Sequence, residues 1–276
     1  MENLPGDVRR DYRDLAHNPK YQHFVRIPDR IIQCIDYFGI ACDRDLTRMR
    51  LLVYYLFIGV VDDAIDSGRI DAGGLILEYL SKPSPVFDEE IRCSSVRLIT
   101  EILRCHVSNE TYPLMIDKLR ELYGEVVSER SATSIESYME HRRSVGSLTA
   151  ELSYVLIRPN LNGEHETLFR FMKQVGAIGC LVDSLIDLSA DHRLGLLGFT
   201  PGIADYARLI ICILRDGLRV SLKYPGLCGL FSRAILDNVR DRFRADRGFP
   251  QHSFRNSIPP VTTWLKAETN ESRGCK

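Results

Sequence analysis

Three aspartates, Asp62, Asp63 and Asp66, close a run of eleven uncharged, mostly apolar residues, Leu51–Val61. At about 3.6 residues per turn, Asp62 and Asp66 share one helical face a turn apart, with Asp63 beside them. The nearest basic residue downstream is Arg69, beyond the breaker Gly68. Acids crowded on a buried wall repel and raise one another's pKa unless a cation holds them. Carboxylate oxygens suit a hard ion, Mg2+ or Mn2+, better than zinc. The plainer alternative is a core helix ending at Val61 with the acids as its solvated tail.

A second stripe favours the cation. Asp183, Asp187 and Asp191 recur at every fourth residue on an otherwise apolar stretch, among Leu181, Val182, Leu185, Ile186 and Leu188. A solvated acidic face would not be so surrounded. Between the stripes lies Tyr138-Met-Glu-His-Arg142-Arg143-Ser-Val-Gly146, whose adjacent arginines can offer bidentate forks to a diphosphate. Arg142 is expected to point inward, with Arg143 beside it and Arg193 a further cation by the second stripe. Ordinary surface charge on a helix is the alternative for this pair.

The elements that must position these groups read as helices. Pro28 opens one through about Ala41, and Asp43 or Asp45 caps the next, which carries the first acids. Its metal-facing line runs back from Asp62 through Gly59, Ile58 and Tyr55, and Gly59 suggests room for a ligand, since glycine costs about 1 kcal/mol in a helix. Three- and four-residue apolar spacing predicts helices near Gly73–Leu80, Glu89–His106, Tyr112–Glu129 and Ser134–Ile157. After the loop Pro159–Gly163 a helix runs from about Glu164 through Leu188, with Phe169, Met172, Gly176, Gly179 and Asp183 on one line and Asp191 at a fraying end. Ile203–Tyr224 and Leu227–Ala245 complete the set. Nowhere is there an alternating strand pattern, so the fold class is all-α, a single-domain helical bundle over residues 1–276. Tyr54, Tyr55, Phe57, Gly59, Phe169, Gly176 and Gly179 are the candidate pocket lining, although such aromatics more often serve as plain core. Residues 1–26 and the tail 247–276 read as flexible or lid-forming.

A net charge of −1 argues against nucleic acid as a partner. Eight cysteines lie scattered without paired or metal-ligand spacing, as in a reducing compartment. The amino end lacks a signal peptide's apolar segment, and no apolar run reaches the ~20 residues of a membrane span. Together these predict a cytoplasmic protein without a transmembrane segment. A homodimer is compatible with all of them.

Asp62-Asp63-Ala-Ile-Asp66 resembles the D-D-x-x-D motif of class I terpene synthases and the wider trans-isoprenoid synthases. Asp183-Ser-Leu-Ile-Asp187-Leu-Ser-Ala-Asp191 looks like their second metal motif, with Asp187 where a hydroxyl is usual and Asp191 where Glu is usual. Tyr138–Gly146 resembles the segment with the diphosphate-sensing arginine, here Arg142. The resemblance covers about residues 45–195. It implies the class I terpenoid synthase fold with a central apolar cavity, and Mg2+ (or Mn2+), three ions around a bound diphosphate. It also implies Mg2+-dependent ionisation of a C15 or C20 prenyl diphosphate, then cyclisation to a terpene hydrocarbon or alcohol. The implied ligands are Asp62, Asp63, Asp66, Asp183, Asp187 and Asp191, with Arg142, Arg143 and Arg193 on the diphosphate. Asp187 and Asp191 equally resemble the D-x-x-x-D of squalene and phytoene synthases, which couple two prenyl diphosphates. The absence of a basic amphipathic anchor in the sequence favours the cyclase. A non-catalytic helical interaction protein is the alternative from a different class.

Overall fold

A computed structural model of the chain describes residues 6–66, 72–81 and 94–245; the side chain of Asp66 and the tail 247–276 lie outside the described residues. Among the described residues the secondary structure is ten α-helices, three 3-10 turns and one ladder of two two-residue strands.

The amino end is helical from Gly6 onward. Helix α1 (Gly6–His17) buries Val8, Tyr12 and Leu15, one stripe at helical spacing that its many arginines and aspartates hide in a composition-level reading. Helix α2 (Gln22–Tyr37) begins well before Pro28, which sits inside it. A 3-10 turn at Pro19–Tyr21, capped by the Asn18 side chain on Lys20 N at 3.0 Å, starts the helical path early. It stops before Ala41 because Gly39 adopts φ 67°, and Ile40 N donates back to Ile35 O at 3.1 Å.

Helix α3 (Arg44–Asp66) starts where Asp43 Oδ1 accepts from Leu46 N at 3.0 Å. Leu51, Val53, Tyr54, Leu56 and Phe57 are all buried, which leaves no solvated face along its middle. It packs on α2 and on α5 (Ser94–His106), while α4 (Ala72–Ser81) packs on α6 (Tyr112–Arg130). Helix α7 (Ile135–Ile157) is capped by Ser134 and lies closely along α8 (Glu166–Arg193). The contact is backbone to backbone: a Cβ on Gly146 would lie 2.1 Å from Gly176 O, and one on Gly176 would lie 2.3 Å from Gly146 O.

The Pro159–Gly163 segment is a 3-10 turn, Arg158–Asn160, followed by a short strand, and the next helix starts at Glu166 rather than Glu164. Leu161–Asn162 pairs antiparallel with Ala41–Cys42, Ala41 opposite Asn162 and Cys42 opposite Leu161, so the residues leading into α3 and α8 are tied together. Helix α8 continues through Arg193, so Asp191 is helical and not frayed. Helices α9 (Ile203–Lys223) and α10 (Cys228–Ala245) follow, α9 on α8 and α10 on α2. A small cluster of Ala132, Ile135, Tyr138, Leu181, Leu188, Leu209 and Cys212 fastens α7, α8 and α9 together beside the main core. Among the described residues no helix is long and apolar enough to cross a membrane. Helix α9 does, however, present an exposed apolar stripe, in a chain whose sequence reads as lacking a basic amphipathic anchor.

Candidate functional site

Helices α3 and α8 each pack on α7, with little direct packing between them. Asp62 is exposed at the end of α3, and Asp183, Asp187 and Asp191 are half-buried on α8. Burial, then the charges of Asp187, Glu129 and Asp62, push the Asp191 carboxyl up to about 6, against the opposing pull of Arg142. The Cys180 thiol is raised to about 12, by burial first and then by Asp183, Glu129 and Asp62, again with Arg142 opposing. The two stripes therefore share one electrostatic neighbourhood, although 121 residues separate Asp62 from Asp183.

Arg142 stands in it as the sequence predicts, pointing inward. Its Nε donates to Ser184 Oγ at 2.8 Å, its Nη2 to Cys180 O at 3.4 Å, and its Nη1 lies 3.4 Å from both Glu129 oxygens. Burial disfavours the charge, but Cys180, Glu129, Tyr138 and Asp183 outweigh it and hold the guanidinium protonated. Ser184 donates in turn to Cys180 O at 2.8 Å, so the fork is held by the turn of α8, Cys180 to Ser184, that carries Asp183. Glu129, on the last turn of α6, is absent from any sequence motif. Only its proximity in space reveals it.

Other expected members are engaged elsewhere. Asp63 is ion-paired to Lys20 and accepts from the Tyr21 hydroxyl at 3.2 Å, so it faces the turn before α2. The sequence places its nearest cation at Arg69, and the true partner comes from 43 residues upstream. Arg143 is ion-paired to Asp216 of α9 and ties α7 to it, while Arg193 is exposed at the end of α8. Asp66 belongs to α3 by its backbone, with its side chain outside the described residues.

The expected lining is largely core. Tyr54 donates to Thr149 O and Tyr55 bonds Ser153 Oγ, both at 3.0 Å, and Phe57 is buried. Phe169 lies against Tyr154, ring centroids 4.6 Å apart. Gly59 leaves no room for a ligand, because Phe24 fills the space and a Cβ there would lie 2.4 Å from its ring. Gly176 is taken by Gly146, and only Gly179 opens onto free space. A small recess of about 10 Å3 lies toward the other end of α3, lined by Arg50, Val53, Leu103, His106, Thr111 and Leu156.

The donor types at the acids suit a hard divalent cation: they are carboxylate oxygens, and Asp191, pushed up by burial first and then by Asp187, would be relieved by added positive charge. Among the described residues no three acidic, histidine or cysteine groups are already gathered around a single point, so an ion would have to draw the carboxylates together. Comparison of the chain with known protein families, with characterised proteins and with solved structures finds no match.

Proposed function

We propose that the protein is a metal-dependent terpenoid synthase of class I type, which ionises a C15 or C20 prenyl diphosphate and cyclises the carbocation. The observation that supports this reading is the meeting of Asp62 with Asp187 and Asp191 in one charged neighbourhood beside the half-buried Arg142. Asp62, Asp183, Asp187 and Asp191 are the residues that would hold Mg2+, whose positive charge favours departure of the diphosphate. Arg142, fixed through Ser184 and Cys180, offers its remaining hydrogen-bonding capacity to the diphosphate oxygens. Glu129 neutralises Arg142 before substrate arrives and competes with the diphosphate for it.

Head-to-head coupling of two prenyl diphosphates is the second reading, favoured by one observation. Asp187 and Asp191 both lie within α8, so a D-x-x-x-D pair stands on one helical face. The exposed stripe on α9 removes the lack of an amphipathic helix as an argument between the two.

Incubation with C10, C15 and C20 allylic diphosphates and Mg2+, reading diphosphate release and product mass, tests both. A cyclase gives products with the substrate's own carbon count, and a coupling enzyme gives twice that number. Asp62→Ala and Asp183→Ala should each cut release by about 100-fold or more with helical content unchanged. Unaltered release from Asp62→Ala would remove the metal assignment.

A further inference from the structure

Helix α9 carries two faces of different use. Leu209, Cys212 and Val220 are buried against α7, α8 and the turn beyond α9. On the other side, Ile203, Ile210, Ile211, Leu214, Leu218 and Leu222 form a continuous stripe along its length, with Ile203 91% exposed, Leu214 65% and Leu222 75%. At the ~100 Å2 that burying one aliphatic side chain removes from water, the stripe amounts to roughly 600 Å2, at the upper limit of what a monomer leaves uncovered.

The charges beside it select the partner. Arg208, Arg215, Arg219 and Lys223 are all exposed along this helix. Against these four cations α9 sets two acids, each side chain 20% exposed: Asp216, paired with Arg143 of α7 and also with Arg215 at 3.0 Å and Arg219 at 3.8 Å, and Asp205, which caps the helix start on Gly202 N at 2.8 Å and lies 3.5 Å from Arg208. From α7, the exposed Glu136 pairs with Arg208 at 2.8 Å. A second copy docked through the same stripe would bring these cations against their own kind. An anionic lipid surface meets both features at once, taking the aliphatic side chains into the acyl boundary and the arginines among its phosphates.

We infer that α9 is a membrane-surface docking helix, which lays its Ile203–Leu222 face into a bilayer rich in anionic lipid. The inference stands on this surface and not on the reaction proposed above.

Co-sedimentation of the full chain with vesicles of phosphatidylcholine alone, and of phosphatidylcholine with phosphatidylglycerol, tests it. Binding to the anionic vesicles is expected, weakening with salt and on phosphatidylcholine alone. Arg215→Gln with Arg219→Gln should weaken it roughly 25-fold, at the usual contribution of each basic residue near a charged surface. Leu214→Asp with Leu218→Asp should abolish it while leaving helical content unchanged. No binding to anionic vesicles at low salt, or binding that both variants retain, overturns the inference. Two other occupants of the stripe would also overturn it. A vesicle-free mass of twice the 31.5 kDa chain, halved by Leu214→Asp, would assign the face to a second copy. A shift in emission of the single tryptophan, Trp264, on Leu214→Asp without vesicles would assign it to the carboxy-terminal segment.

Discussion

Glu101 of α5 is 7% exposed, and its Oε2 is buried without a hydrogen-bond partner among the described residues. Burial raises its carboxyl to about 7, with Arg104 pulling the other way. The folded state thus holds a proton that the unfolded chain releases near 4.5, so this group opposes folding progressively as pH rises from about 4.5 to about 7. Glu101→Gln should therefore raise stability by roughly 1–3 kcal/mol at pH 8 and leave it unchanged at pH 4, as measured by urea unfolding at both values. An equal effect at the two pH values would show that Glu101 is not titrating in the fold. At this scale the sequence is readable where neighbours in sequence are neighbours in space. Arg142 points inward because it shares a helical face with the buried Tyr138 and Gly146. Asp63 is unreadable because Lys20 reaches it from a different part of the chain.

Helices are the most legible feature, since apolar spacing marks α3, α6, α7, α9 and α10 to within a few residues. What the spacing leaves out is what each glycine is for. Gly59 and Gly176 look alike as gaps in a helix, yet Phe24 occupies one and the Gly146 backbone the other, and neither occupant is near in sequence. The α7–α8 contact gives the sharper test. Gly146→Ala forces a Cβ into Gly176 O and should cost about 2 kcal/mol or more despite alanine's better helix propensity. Gly124→Ala, on α6 with nothing within 4 Å of the added carbon, should instead stabilise by up to about 1 kcal/mol. Urea denaturation of the two variants checks the pair. A stabilised Gly146→Ala protein would mean that the helices can separate freely.

For the molecule as a whole, the repulsion gathered around Asp191 makes ligand binding a stability measurement. Mg2+ together with inorganic diphosphate should raise the melting temperature more than either alone, by about 5 °C or more at a hundredfold excess over the dissociation constant. Asp62→Ala should remove the joint increment and keep the unliganded melting temperature near that of the parent. A melting curve indifferent to the pair would instead favour the interaction-protein alternative. Such global properties are the least legible in sequence, because they depend on which faces end up opposite one another.

The small ladder between Ala41–Cys42 and Leu161–Asn162 bears on that question. It bolts together the starting points of α3 and α8, so the two helices act like the prongs of a tuning fork. Asp62 lies 18 residues along its prong from Arg44, and Asp183 lies 17 along the other from Glu166, about 27 and 26 Å of rise. The prongs run nearly matching lengths from one fixed base to their acids, and the charge of Asp62 reaches Cys180 and Asp191 on the other prong. A single residue inserted into either prong would lift its acid by about 1.5 Å and swing it about 100° away from its counterpart.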